Sequence, residues 1–424
     1  MSASQAHSRI ERLLSFEDAQ ECVRSQAELL RKQPRTSEQV PLLESLGRTL
    51  AEEIVADRNL PPFPRATRDG YAVRAEDVQL IPTELRIVGQ IRAGGELPEG
   101  FTKLSRGQAI SIMTGAPVPS GANGVVMVEH TERKGDSVRL LRSVTNGENV
   151  VPLGSEARAG AVLIERGTRV SHAQVALAAA VGKSKVSVYS RPRVAILPTG
   201  DEVVSIDSEP ASNQIRNSNS FSLAAQVIAA GGEPIQLPIA PDEPERLREL
   251  IAQGLESDLL LLSGGVSAGE YDLVEDVLSQ FSAEFLFTGV QIQPGKPLVF
   301  GRALSTSHGR LMYFLGLPGN PISTMVTFEL FASILLRALS GAPGSGLRGT
   351  KARLVKEVRV KTGLTRFLPA QLSGNWDDPE VAPVKWQGSG DVAAFSRGDC
   401  LLVIPPDREH FNPGEWMTVL PLQS

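Results

Sequence analysis

Only two cysteines, Cys22 and Cys400, occur in 424 residues. They cannot make a disulfide framework, and so low a thiol content is expected of a reducing compartment. No apolar run approaches the roughly 20 residues that cross a bilayer. The start, MSASQAHSRIERLL, has neither the basic opening nor the apolar centre of a signal peptide. A cytoplasmic protein without membrane insertion is therefore expected. Excess positive charge is also missing: 43 Lys and Arg face 48 Asp and Glu, a net charge of −5. That excludes attachment to nucleic acid or anionic lipid through the overall field. The histidines, His7, His130, His172, His308 and His410, show no metal-ligand spacing, so zinc and iron chemistry is not expected. No strand runs into Gly-x-Gly-x-x-Gly. GVQIQPGKP has one residue too many for a P-loop, and Pro where Ser or Thr is required.

What is present is a globular composition, 41 % hydrophobic and 21 % charged, with 39 Gly and 29 Pro spread along the chain. At about 150 residues per domain, two to four domains are expected. Ser15 can cap a helix in which Phe16, Ala19, Val23, Ala27 and Leu30 repeat near helical period, a stripe that needs a partner. LLESLGRTLAEEIVA reads as a second helical piece, and NLPPFPRAT forces the chain to extend. From Asp69 to about Gly147, short β-like runs alternate with turn residues. From Arg191, strand, loop and helix alternate as βαβ units, with DLLLL reading as a parallel strand covered on both faces. The last 80 or so residues return to short strands.

This predicts a multidomain α/β plus β fold. A discontinuous N-terminal α+β domain spans 1–60 and 148–189, a small β domain is inserted at 61–147, a doubly wound α/β domain covers 190–342, and a C-terminal β domain covers 343–424. Ligands of an open parallel sheet lie beyond the carboxyl ends of its strands, where loops meet helix N-termini. The loops there carry Glu202 in TGDE, Asp242 in APDEP, Asp272 in SGGVSAGEYD and Lys296 in PGKP. Three carboxylates with Gly-rich turns suit Mg²⁺ against a phosphate. One motif points elsewhere: Gly265, Val266, Ser267, Ala268 and Gly269 spell the Gly-x-Ser-x-Gly of serine hydrolases, for which His308 or His410 would have to serve as base.

Eight blocks, in order, carry a resemblance over nearly the whole chain: PPFPRATRDGYAVRAED, ISIMTGAPVPSGANGVVM, LPTGDEVV, IRNSNSFSLAAQV, LLSGGVSAGEYD, QPGKPLVFG, FLGLPGNPISTMVTF and QGSGDVAAFSRGDCLLVIP. The chain resembles the molybdopterin molybdenumtransferases, the MoeA and gephyrin E-domain family. The resemblance implies a molybdopterin-binding α/β domain within a homodimer. It also implies Mg²⁺-assisted insertion of molybdate into adenylylated molybdopterin, with release of AMP. Carried over by motif, Asp69, Glu202, Asp242 and Asp272 are catalytic, the last three as metal ligands. Thr114, Asn219, Gly264, Gly265, Ser267, Lys296, Pro297 and Ser389 bind substrate. Asp69 and Thr114, on the inserted domain, would complete the site across the dimer. Contacts with a molybdopterin adenylyltransferase and with recipient molybdoenzymes are implied, as is no contact with nucleic acid or membrane. A molybdopterin-binding scaffold and an adenylylating enzyme are the alternatives from related proteins. Three departures stand out: Arg68 replaces a frequent Met, Gln293 replaces the first Lys of KPGKP, and GLTRFLP lacks the arginines of Gly-Arg-x-x-Phe-x-Arg. Arg366, Arg397 and Arg68 are the candidates to supply the missing charge.

Overall fold

The computed structural model describes residues 13–97, 99–265, 273–305, 311–344 and 346–422. Segments before and after the inserted sheet pair with each other, which makes the N-terminal unit discontinuous. Ser37–Pro41 lies against Lys185–Tyr189, Ile54–Val55 against Val162–Ile164, and Arg65–Ala66 against Val150–Val151, all antiparallel. LLESLGRTLAEEIVA is not a helix. After a short 3-10 turn at Leu42–Ser45 it extends through bridges from Thr49 to Arg169 and from Leu50 to Val188. The reason is non-local: pairing with residues more than 100 positions away satisfies this backbone better than a short isolated helix could.

The inserted unit is a six-stranded sheet in the order Gly124–Met127, Gly70–Val73, Gln108–Ile112, Thr83–Ile91, Ser137–Leu140, Thr131–Lys134. Its two faces bury separate apolar clusters, one around Ile91 and Ile110, the other around Tyr71 and Val126.

The central sheet runs Glu233–Gln236, Arg193–Pro198, Leu259–Ser263, Leu311–Leu317, Val299–Leu304, Glu284–Phe287. The first four strands are parallel and the last two antiparallel to their neighbours. Leu259–Ser263, the predicted two-sided strand, is buried at every residue. Helices Pro244–Gly254 and Leu273–Ser279 cover one face with Leu247, Leu250, Ile251, Val274 and Val277. The other face takes Asn219–Ala229 and the long helix that begins at Pro321. That helix, Pro321–Leu339, is apolar and long enough to cross a membrane, with mean hydropathy 1.6, yet 78 % of it is buried inside the protein.

The helix Phe16–Arg31, counted above with the N-terminal domain, also belongs to this face. Ser15 Oγ accepts from the Asp18 backbone N–H at 3.1 Å. The stripe of Ala19, Val23, Ala27 and Leu30 is buried with Leu223, Phe331 and Leu335. The Gln20 carboxamide donates to the carbonyl of Leu330, inside a π-helical turn at Phe328–Ala332. The C-terminal strands close into a barrel, Thr365–Gly374, Pro379–Pro383, Thr350–Leu354, Trp416–Pro421, Cys400–Ile404 and back to the first. Ile292–Gln293 of the α/β unit pairs with it at Thr365–Arg366.

Candidate active site

Chain order in the central sheet reverses between Arg193–Pro198 and Leu259–Ser263, because the next strand after the first lies on its far side. Such a reversal opens a crevice beyond the strand ends. A cavity of about 50 Å³ lies there, lined among others by Thr199, Glu202, Asn219, Ser263, Gly264 and Gly319. Asn219, the first residue of its helix, donates to Ser263 Oγ at 2.9 Å and to the Gly319 carbonyl at 2.8 Å, fastening three loops together. Among the described residues, its Oδ1 and the Thr199 Oγ1 are buried without a partner. Polar atoms left in that state ordinarily cost about 1–3 kcal/mol, a cost that a ligand bonding to them would offset.

Gly264 and Gly265 have φ of +98° and +67°. A Cβ on Gly264 would lie 2.8 Å from the Thr199 carbonyl oxygen, and one on Gly265 2.8 Å from Thr199 Oγ1. Glycine is needed at both for the strand to turn this close to Thr199. Ser267 and Asp272 lie outside the described residues, as does His308.

The acidic loops meet because their backbones are tied. Gly200 N–H donates to the Ala240 carbonyl at 3.2 Å, Ala240 N–H to the Pro198 carbonyl at 2.8 Å, and Asp242 N–H to Asp201 Oδ1 at 3.1 Å. Burial pushes the Asp242 carboxyl above the ordinary carboxylate range, and the charges of Asp201 and Glu202 push it further. Among the described residues no set of three or more His, Cys, Asp or Glu is placed to hold a metal ion. The donor chemistry, hard carboxylate oxygens that repel one another, nevertheless fits a divalent cation. Glu202 and Asp242 are brought together as expected, with Asp201 added.

Asp69 and Thr114 form a second feature, on the inserted sheet. Asp69 Oδ1 accepts from the Thr114 backbone N–H at 2.6 Å and from its hydroxyl at 2.9 Å. These two bonds hold the Asp69 carboxyl below its ordinary value although it is fully exposed. The turn requires Gly70, where a Cβ would overlap the Val126 carbonyl oxygen. No residue of the inserted sheet lines the cavity at the strand ends. Lys296 is exposed and without an ion-pair partner among the described residues, next to half-buried Pro297. The Ser389 carbonyl accepts from Ile322 N–H at 3.0 Å, which puts QGSG at the start of the long helix, beside Gly319 and Pro321. Arg366 Nε donates to Gln293 Oε1 at 2.8 Å, while its guanidinium also donates to the carbonyls of Lys361 and Leu364. A buried arginine thus stands against the residue at which the expected lysine is absent. Arg68 and Arg397 are exposed. His410 is paired with Glu357 at 2.5 Å on the barrel, so it is not a free base.

Comparison with known proteins agrees with this architecture. Family models for the MoeA N-terminal region (domain I and II), for a "probable molybdopterin binding domain" and for the MoeA C-terminal region (domain IV) match residues 14–182, 195–338 and 351–422. The molybdopterin molybdenumtransferase of Bacillus subtilis is 33 % identical over 395 residues, covering 91 % of this chain and 89 % of its own. The chain belongs to the molybdopterin molybdenumtransferase family. It is an enzyme of molybdenum cofactor biosynthesis. The molybdenumtransferase of a Nostoc species is 39 % identical over 310 residues, 72 % of this chain and 70 % of its own. The solved MoeA structure from Pyrococcus horikoshii aligns over 97 % of this chain and 99 % of its own, at 34 % identity and TM-score 0.74. Thr199 and Asp201 stand at the strand-end crevice and are candidates that motif reading passed over. Their signal was position: both follow directly on a strand's carboxyl end, in the same TGDE that supplied Glu202.

Proposed function

We propose that this enzyme inserts molybdate into adenylylated molybdopterin and releases AMP, assisted by Mg²⁺, in the cytoplasm and as a homodimer. The observation that carries the reading is the pair of buried, partnerless oxygens, Thr199 Oγ1 and Asn219 Oδ1, at the sheet's reversal point beside mutually repelling carboxylates. A pterin offers ring and exocyclic N–H donors to a carboxamide oxygen. A threonine hydroxyl can donate to a phosphate or carbonyl oxygen. The cavity is far smaller than such a ligand, so the described residues make only its foot.

Glu202, Asp242 and Asp272 would hold Mg²⁺, with Asp201 at hand, and the ion would offset the charge of the pyrophosphate when bound. Lys296, exposed in PGKP, would supply a positive charge to the bound phosphates. Asp69, kept ionised by Thr114, and Thr114 itself complete the site from the second protomer. Water opens the anhydride between the pterin phosphate and AMP, and the two dithiolene thiols displace one molybdate oxygen, which leaves as water with the two thiol protons. A molybdopterin adenylyltransferase that delivers the substrate and molybdoenzymes that accept the product are the protein partners this role requires.

The test is AMP release from adenylylated molybdopterin with and without molybdate and Mg²⁺, beside Asp242→Asn. Molybdate-dependent release that needs Mg²⁺ and falls at least 100-fold in the variant is expected. Release that ignores molybdate, or an unaffected variant, overturns the proposal. Labelling of Ser267 by a fluorophosphonate would point instead to hydrolase chemistry.

A further inference from the structure

A second polar cavity, unused by the reading above, lies at the other end of the long helix. Arg337 is 16 residues beyond Pro321, or ~24 Å along the axis at 1.5 Å per residue. The cavity holds about 530 Å³ and is lined by Arg169, Arg337, Arg348 and Glu329, with Leu401 and Leu420 among its apolar residues. Three separate parts of the chain supply the arginines. Arg169 bridges to Thr49 in the N-terminal unit, Arg337 is in the helix's last turn, and Arg348 is in the connector to the barrel. Two smaller cavities share Arg337 with it, one of them also Arg169.

Among the described residues none of the three arginines has a carboxylate within ion-pair distance. Their charges reach one another: burial lowers the Arg337 pKa, Arg169 and Arg348 push it the same way, and Glu329 alone opposes. Glu329 stands in the π-helical turn Phe328–Ala332, a distortion frequent at functional sites. It accepts from Gln226 Nε2 at 2.7 Å, and the Gln226 Oε1 is buried without a partner. Three cations against one anion, none of them in an ion pair among the described residues although Arg337 donates to the Gly346 carbonyl at 3.5 Å, gathered in a space of ligand size, describe an anion site.

We propose that this cavity binds a phosphorylated small molecule of nucleotide size, with the phosphate on Arg169, Arg337 and Arg348 and the apolar body against Leu401 and Leu420. Guanidiniums match phosphate by paired N–H donors, and two leucines give a ring an apolar surface. The site is distinct from the acidic loops and does not depend on the activity proposed for them.

The experiment titrates the intact chain calorimetrically with AMP, adenosine and pyrophosphate. The variants are the double Arg169→Gln/Arg348→Gln, Glu329→Gln and, as a marker of the strand-end site, Lys296→Ala. Both arginines of the double variant are exposed, and its thermal melt is expected to match the wild type. A component of AMP binding, separate from product binding at the strand ends, that is at least 10-fold weaker in the double variant and retained in Lys296→Ala is expected. Glu329→Gln should tighten it several-fold by removing the opposing charge, an effect a merely structural role would not produce. Adenosine should bind at least 10-fold more weakly than AMP, and pyrophosphate should compete with AMP. No AMP binding at millimolar concentration, binding indifferent to the double variant, binding lost only in Lys296→Ala, or equal affinity for adenosine would each overturn the proposal.

Discussion

Asn219→Ala tests the physical account of the strand-end site. The side chain donates to Ser263 Oγ at 2.9 Å and to the Gly319 carbonyl at 2.8 Å. A net hydrogen bond is worth about 1 kcal/mol, so two contribute roughly 2 kcal/mol. Ser263 is only 4 % exposed, and leaving its hydroxyl short of a partner adds about 1 kcal/mol. The expected loss is about 3 kcal/mol, or roughly 6–12 °C in the melting of a unit of this size. Asn219→Asp should be worse, because a carboxylate cannot donate to the Gly319 carbonyl and adds charge near Glu202. The assay is urea and thermal unfolding of the metal-free, substrate-free chain, followed by near-UV signals. Substrate binding should weaken in parallel, since Asn219 Oδ1 is removed from the cavity. A loss under about 0.5 kcal/mol in both variants would refute the claim that this side chain holds the three loops.

Asp242→Asn should stabilise the metal-free protein at neutral pH while abolishing activity. The folded-state pKa of Asp242 is raised, so its carboxyl favours the fold below the unfolded value and loses that advantage as pH climbs through the raised one. Melts of wild type and variant should converge in acid and separate in the variant's favour above it. Thr114→Val should return the Asp69 carboxyl towards its ordinary value, seen as an upward move in its NMR titration; no move would separate the pair. Gly70→Ala should damage the inserted sheet, leaving the α/β signals intact in hydrogen exchange. Leu30→Ala should cost about 2–4 kcal/mol in the α/β unit and leave exchange in the strands Ser37–Pro41 and Lys185–Tyr189 unchanged.

The α/β unit was legible because its signals are local and periodic. Leu247, Leu250, Ile251 and Leu255 fall on one face at helical spacing, and all four are buried. The rule that ligands sit beyond strand carboxyl ends then directed attention to Glu202 and Asp242, whose charges do couple. What failed was non-local. LLESLGRTLAEEIVA satisfies a helical pattern, yet its backbone partners include Thr168, Val170 and Ser187, which no window of neighbouring residues contains. The stripe of Phe16–Arg31 showed that it needed a partner but not which one, since any apolar surface would answer it. Thr199 carries no charge, so in the sequence only its place directly after a strand's carboxyl end marks it, and its burial without a partner among the described residues is a structural signal.

The docking of that first helix has a consequence for biosynthesis. Phe16–Arg31 leaves the ribosome before anything else described here, but its seat includes Leu335 and Ala338, some 300 residues later. At about 5–20 residues per second, the apolar stripe waits roughly 15–60 s for its partners. During that interval the nascent chain displays an unmatched amphipathic segment while the N-terminal and inserted units can already close around their own clusters. A holdase that recognises such segments should bind stalled chains ending near residue 300, and release them once Leu339 has emerged.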